Sequence, residues 1–313
     1  MGMALAHDGQ SVITEPGPQL REEAWWTGPV LASSAATLPA GHLLIEPYLF
    51  DVISDGHFDV GGSRTRAPSH RTLGSLTYVN YGVSDTFTVG VIPRTYYSDA
   101  AGEARSSGPR GGDVSVQGQY RLTNFSEEHR IPTVSILAME TLPTGKYDEL
   151  GKRPGDGFGG GAYATTLAVY SQDYFWLPNG RILRARFDLS YSWSALVKLK
   201  GVSVYGTPAG FRGVADPGRT AAVDAAAEYS VTRRWVFALD LYFEHDGNTH
   251  VMGRQPGSGY EDASGPSEYL AVAPAVEFNW NASMGIIAGA RLVPAGRNAP
   301  ATVMPVVAVN LVF

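Results

Sequence analysis

A catalytic or metal-binding centre would need a histidine beside a serine or among carboxylates, and one stretch comes near it: Glu244-His245-Asp246-Gly247-Asn248-Thr249-His250. A serine nucleophile must lie within hydrogen-bond reach of a histidine that a third group orients. On a strand this puts Ser and His two residues apart on one face, and no serine stands two residues from His245 or His250. These histidines are expected at an outer strand end, and the chain is not expected to be an enzyme. His245, Asp246 and His250, or the acids Asp148, Glu149 and Asp156, have oxygen and nitrogen ligands for a divalent ion, or for bridging lipopolysaccharide through calcium, but no diagnostic spacing. No metal or cofactor is expected. With no cysteine, thiolate zinc sites, cysteine nucleophiles and disulfide frameworks are excluded. The glycine-rich runs 155–161 and 253–259 open no helix after a strand, so they read as loops rather than phosphate cradles.

The more informative charges recur at every second residue. Arg184, Arg186 and Asp188 alternate with Leu183, Ala185, Phe187 and Leu189, while Asp240, Tyr242 and Glu244 alternate with Leu239, Leu241 and Phe243. Tyr269, Glu277 and Asn279 share a strand with Leu270, Val272, Pro274, Val276, Phe278 and Trp280. A period of two is a strand with an uncharged face and a mixed face. The last stretch, Ala301 to Phe313, has the same form: Val303, Pro305, Val307, Val309, Leu311 and Phe313 share one face. An open edge this apolar would invite aggregation. Closing the sheet removes the edge, and an apolar face turned outward is stable only in lipid. The fold expected is an all-β, transmembrane, up-and-down antiparallel β-barrel.

About twelve strands are expected, at 43–53, 71–82, 86–96, 113–123, 131–142, 160–173, 181–194, 219–230, 233–245, 267–279, 283–293 and 301–313. Each approximates the 9 to 11 residues, roughly, that a tilted strand needs to cross a bilayer. Short links (82–85, 124–130, 174–180, 230–232, 279–282) alternate with long, Gly- and Pro-rich ones (54–70, 98–112, 143–159, 195–218, 246–266, and the shorter 294–300). That sorting belongs to a barrel with periplasmic turns and outer loops. Val197 to Val204 alternates weakly and is expected to extend the neighbouring strand. Tyr81, Tyr229, Trp235 and Trp280 adjoin short turns, where an aromatic girdle belongs. No run of about 18 apolar residues exists for a spanning helix. The net charge of −6, without a basic tract, makes nucleic acid an unsuitable partner.

Two regions follow: residues 1–40, a signal remnant and N-terminal extension, and residues 41–313, the barrel. Ala4-Leu5-Ala6 has the small-x-small form of a signal-peptidase site, so a truncated signal with cleavage near Ala6 is expected, and with it export to the outer membrane of a Gram-negative bacterium. Trp25 and Trp26 are costly to leave in water, which gives the extension two readings: a loose periplasmic tail, or a plug folded back on the lumen.

Parity assigns to the lumen Glu46, Tyr48, Tyr78, Arg94, Arg121, Tyr170, Arg184, Arg186, Asp188, Asp224, Glu228, Asp240, Tyr242, Tyr269, Glu277 and Arg291. Their charges suit cross-strand ion pairs that brace the wall, or a constriction that selects solutes. The tyrosines suit stacking on an aromatic solute or filling of a wet lumen.

Leu38-Pro-Ala-Gly-His42 with Glu46-Pro-Tyr48, Tyr81-Gly-Val-Ser-Asp85 with Gly90, Gly112-Asp113 with Tyr120-Arg121, and Leu142-Pro-Thr-Gly-Lys-Tyr-Asp148 give the chain a resemblance to a transporter-like family of outer-membrane β-barrels associated with the MetA pathway of phenol degradation. The resemblance covers roughly the first half of the barrel. It implies passage of aromatic or other hydrophobic compounds and supplies no binding residues. The expected function is a porin-like channel that takes up small hydrophobic or aromatic molecules by passive diffusion. The alternative is a non-conducting structural or interaction barrel that works through its outer loops. Expected partners are outer-membrane lipids and lipopolysaccharide, a small-molecule solute, and the barrel-assembly machinery acting on the C-terminal Phe313.

Overall fold

The computed structural model describes residues 18–100 and 104–313. Ala4-Leu5-Ala6 and the first part of the extension lie outside them. Eighteen strands follow in order: β1 Leu43–Phe58, β2 Arg64–Ser84, β3 Phe87–Ile92, β4 Arg94–Ala100, β5 Arg110–Gly111, β6 Val114–Thr123, β7 Thr133–Leu142, β8 Ala164–Trp176, β9 Ile182–Ser194, β10 Val197–Lys200, β11 Arg212–Asp216, β12 Thr220–Ser230, β13 Trp235–Asp246, β14 His250–Gln255, β15 Ser258–Ala263, β16 Ser267–Asn281, β17 Met284–Arg297 and β18 Ala299–Val312.

Twelve of them close an antiparallel barrel in the order β1-β18-β17-β16-β13-β12-β9-β8-β7-β6-β3-β2, because β1 pairs with both β18 and β2. The closing register sets Leu44 against Val312 and Phe58 against Ala299. This β18 is the apolar C-terminal stretch, whose edge groups are thereby satisfied. Proline 93 interrupts the third wall strand, and β4 continues it beyond the break. A proline cannot donate to the ladder, which is why it sits at such a break.

The wall alternates as period two demands. Phe187, Leu189, Tyr191 and Trp193 on β9, and Trp235, Phe237, Leu239, Leu241 and Phe243 on β13, point out and are exposed, whereas Arg184, Arg186, Asp188 and Asp240 point in and are buried. Short turns such as 231–234 and 282–283 gather at one end.

The long links depart from the expectation of plain loops. Residues 54–70 are mostly strand, since β1 and β2 run on as a hairpin to Phe58 opposite Arg64, braced by the Asp55–Arg64 and Asp51–Arg71 ion pairs. Polar composition at a strand end above the membrane conceals strand from a reading based on apolar alternation. Val197–Lys200 does not extend its neighbour either. It is the edge of a second, four-stranded sheet, β10-β11-β14-β15, built from the two long links that follow β9 and β13. Val197, Leu199, Ala215 and Val251 form its buried face against Ala162, Phe211, Tyr147, Tyr205 and Tyr260.

Candidate functional site

Inside the barrel Arg184, Arg186 and Glu228 form one ion-paired cluster. Glu228 on β12 lies opposite Arg184 on β9. The Arg184 guanidinium donates to both Glu228 oxygens, Nε at 2.6 Å, and Arg186 Nε donates to Oε2 at 3.0 Å. All three side chains are almost wholly buried. Two guanidiniums on one carboxylate leave an excess positive charge, which is met from the extension: the Trp26 ring stacks 4.5 Å from the Arg184 guanidinium, and Arg186 Nη1 donates to Ala32 O at 3.0 Å.

Residues 19–40 run through the lumen in an irregular course, so their backbone groups need partners other than a ladder. The wall supplies them. Glu277 accepts the Thr27 and Gly28 N–H groups at 2.6 and 3.2 Å. Asp240 accepts from Val30, Leu31 and Ala32 at 3.1, 3.3 and 3.0 Å, and Asp188 accepts from Ser33 at 2.6 Å. Gln119 Nε2 donates to Ser34 O at 2.8 Å, and the Ser135 hydroxyl donates to Ala35 O. At the turn end, Trp176 Nε1 donates to Gln19 O at 2.8 Å, Arg233 lies 4.8 Å from the Trp25 ring, and the Thr37 hydroxyl donates to Asp85 O at 2.6 Å. Three carboxylates that would otherwise be buried without partners thus hold six consecutive or nearly consecutive N–H groups of one strap.

Two wall glycines give this strap room. A Cβ at Gly82 would stand 2.1 Å from Pro39 O, and one at Gly285 would stand 2.0 Å from Thr27 Oγ1. Gly28 in the strap has φ +125°, a conformation L-residues rarely adopt, and faces the Arg186 guanidinium.

Toward the loop end the lumen is aromatic. Tyr48 and Tyr78 meet edge-on at 5.8 Å, Tyr242 and Tyr269 lie 5.9 Å apart, and Arg291 sits 5.8 Å from the Tyr269 ring. Phe50 meets Tyr96 at 6.2 Å, and Phe158, from the 143–163 loop, stacks on Tyr96 at 5.1 Å. Parity reached Tyr48, Tyr78, Tyr242 and Tyr269. It passed over Phe50, which shares the inward face of β1 with Tyr48, and it has no means of reaching Phe158, which no strand carries.

The remaining predicted lumen residues are more dispersed. Glu46 accepts from Asn310 at 3.2 Å. Arg94 donates to Asp113 O and Ser115 Oγ at 2.9 and 2.8 Å, bracing the wall near the Pro93 break. Asp224 lies opposite Asp188 in register and is 4% exposed, and Tyr170 lies opposite Asp188 on its other side. Arg121 sits by the Thr86 turn, away from the cluster. The histidine stretch does not converge: His245 faces Glu268 at 3.6 Å on the outer surface, Asp246 accepts from the Thr220 and Ser267 hydroxyls, and His250 belongs to the second sheet. Asp148 accepts the Lys200 N–H and Asp156 accepts from Ser107 and Arg110, so these two acids serve loop contacts. A hollow of about 740 Å³ lies on the outer wall, where Ile136, Leu167, Leu189 and Phe243 border it. Lipid chains fit it in chemistry, and it is separate from the lumen.

No family model and no curated protein matches the chain, so the phenol-degradation family resemblance is not shown. Among solved structures the barrel is similar to an outer membrane channel from Pseudomonas putida F1, with 13% identity and a TM-score of 0.66 over 91% of this chain and 100% of that one. Lower similarity extends to the NanC porin, with 10% identity over 84% of this chain and 98% of that one, and to the toluene transporter of Ralstonia pickettii, with 11% identity over 95% and 98%. Their TM-scores are 0.44 and 0.39. The likeness to the Pseudomonas channel is one of fold: a closed antiparallel β-barrel of similar extent.

Proposed function

We propose that the chain is a channel of the bacterial outer membrane, that residues 19–40 close its lumen as a plug, and that it passes small hydrophobic or aromatic solutes by passive diffusion. The apolar outer belt supports the membrane, and the name of the similar Pseudomonas structure supports a channel. The observation that carries the reading is the strap itself. It is held by hydrogen bonds from its backbone to Asp188, Asp240 and Glu277, a mode of attachment that water can replace without unfolding the wall. Displacing the strap would open a path beside the inward rings of Tyr48, Tyr78, Tyr96 and Phe158, which suit a planar apolar solute.

The test is uptake into liposomes carrying the refolded protein, with phenol and a charged aromatic of similar size as the two solutes. Phenol uptake above that of empty liposomes, exceeding uptake of the charged compound, supports the reading. No uptake of either, by the full chain or by a form lacking residues 7–36, favours a non-conducting barrel that works through its outer loops.

A further inference from the structure

The second sheet has one face covered and one face free, and the free face is strongly basic. Register places Lys200, Arg212 and Arg254 side by side on β10, β11 and β14, with Lys198 one row nearer the barrel. All four are exposed, and none forms an ion pair or a side-chain hydrogen bond among the described residues. Like charges directly opposite on neighbouring strands destabilise a sheet, so folding alone does not account for the row. The same face bears the anions Asp216 and Glu261, which leaves the cations in excess. Toward the barrel the face becomes mixed, with Leu196 65% and Met252 49% exposed among Lys198, Glu261, Asp216 and His250.

This face continues the outer wall. A groove of about 640 Å³ joins them, bordered by outward Tyr191 and Trp193 at the end of β9, by Asp216 of the second sheet, and by Arg219 and Asn248. Reading upward from the lipid belt, the surface therefore runs aromatic residues, a groove with an exposed arginine, a mixed polar and apolar strip, then a row of cations. Acyl chains, a sugar headgroup and phosphates are stacked in that order in a phosphorylated glycolipid standing in the outer leaflet.

We propose that this surface docks lipopolysaccharide, with Trp193 and Arg219 at the sugar-phosphate level and Lys200, Arg212 and Arg254 on phosphates above it. The inference rests on the outer-membrane reading and assigns its lipid partner to one flank of the barrel. Arginine suits the role because its planar fork binds phosphate through two parallel hydrogen bonds. One lipopolysaccharide would bridge the wall and the second sheet, fixing the sheet over the barrel mouth.

The experiment measures binding of bisphosphorylated lipopolysaccharide to the full refolded chain in phosphatidylethanolamine vesicles. The comparisons are dephosphorylated lipopolysaccharide, excess inorganic phosphate, the triple variant Lys200→Glu/Arg212→Glu/Arg254→Glu, and Arg219→Glu, in the link between β11 and β12 rather than on the sheet. At about 1 kcal/mol per cation at an anionic surface, the triple variant should bind at least about 150-fold more weakly and Arg219→Glu at least about fivefold. Arg212→Lys/Arg254→Lys, which keeps the charge and loses the bidentate fork, should bind more weakly than the unaltered chain and more tightly than the triple variant, and dephosphorylation should mimic the triple variant. Heat-modifiable gel migration verifies that each variant is a folded barrel. Unchanged affinity in both acidic variants, equal binding of the dephosphorylated glycolipid, or full displacement by inorganic phosphate would each overturn the proposal. Phenol uptake in vesicles without lipopolysaccharide reads the channel separately, so failure of one reading leaves the other identifiable.

Discussion

Asp240 accepts three backbone N–H groups of the strap, more than any other inward carboxylate. Truncating it in Asp240→Ala removes these charge-assisted bonds and should weaken the plugged state by about 2 kcal/mol, raising the open fraction about thirtyfold. Conductance in a planar bilayer measures this, and unchanged conductance would show that Asp240 does not hold the strap. Glu228 has a different task, since it neutralises Arg184 and Arg186 inside the wall. Glu228→Ala strands two buried guanidiniums and should destabilise the barrel by about 3 to 5 kcal/mol, read as a lower urea midpoint for unfolding from vesicles. The inward positions of these charges were legible in the sequence, because period two separates Arg184, Arg186 and Asp188 from Phe187 and Leu189. Their partners were not. Asp188, Asp240 and Glu277 bond to backbone rather than to basic side chains, and a backbone N–H leaves no mark on residue type.

Among the elements, the wall strands were readable nearly to their ends and the outer links were not. Strands in lipid must alternate cleanly, whereas β1 and β2 beyond Ile53, and all of β10, β11, β14 and β15, stand above the belt where either face tolerates polar residues. The strap was readable only as an anomaly: Trp25 and Trp26 pointed to a buried environment, but without periodicity nothing gave its path past Gly285 and Gly82. At Gly82 a methyl group would meet the backbone oxygen of Pro39. Gly82→Ala should therefore loosen the strap at this end by about 1 to 3 kcal/mol, detected as faster proteolysis within residues 18–40 while the barrel stays intact. The link between β7 and β8 is anchored through Asp156, which accepts from the Ser107 N–H, the Ser107 hydroxyl and Arg110. Burial by itself raises this carboxyl's pKa, but the bonds from Ser107 and the Arg110 guanidinium outweigh it and hold the value below the ordinary carboxylate range. A lowered folded value means that the anchor's contribution is complete above the unfolded value and fades as pH falls through the folded one. Loop anchoring should thus be lost below about pH 4, with hydrogen exchange rising at residues 104–111 and 154–157. In Asp156→Asn the same segments should show little pH dependence.

For the whole molecule, closure and the outer belt decide where the chain can exist. The β1–β18 pairing leaves the barrel no open edge, and Leu239 stands mid-strand on β13 with 41% of its surface outside. Leu239→Arg should cost about 2 to 4 kcal/mol when the protein folds into vesicles, the range for arginine near a bilayer midplane. A much smaller cost would mean that this face does not meet lipid. Barrel class and face assignment followed from the sequence because lipid and lumen impose opposite chemistry on alternate residues. Whether the lumen stands open or blocked did not follow, since that depends on where a non-repeating segment lies. The most direct measurement is therefore single-channel conductance of the full chain against the form lacking residues 7–36, in the same bilayer. A small or rare conductance that becomes large and persistent on truncation is the predicted result. Equal conductance of the two forms would contradict the plug, and silence from both would contradict the channel.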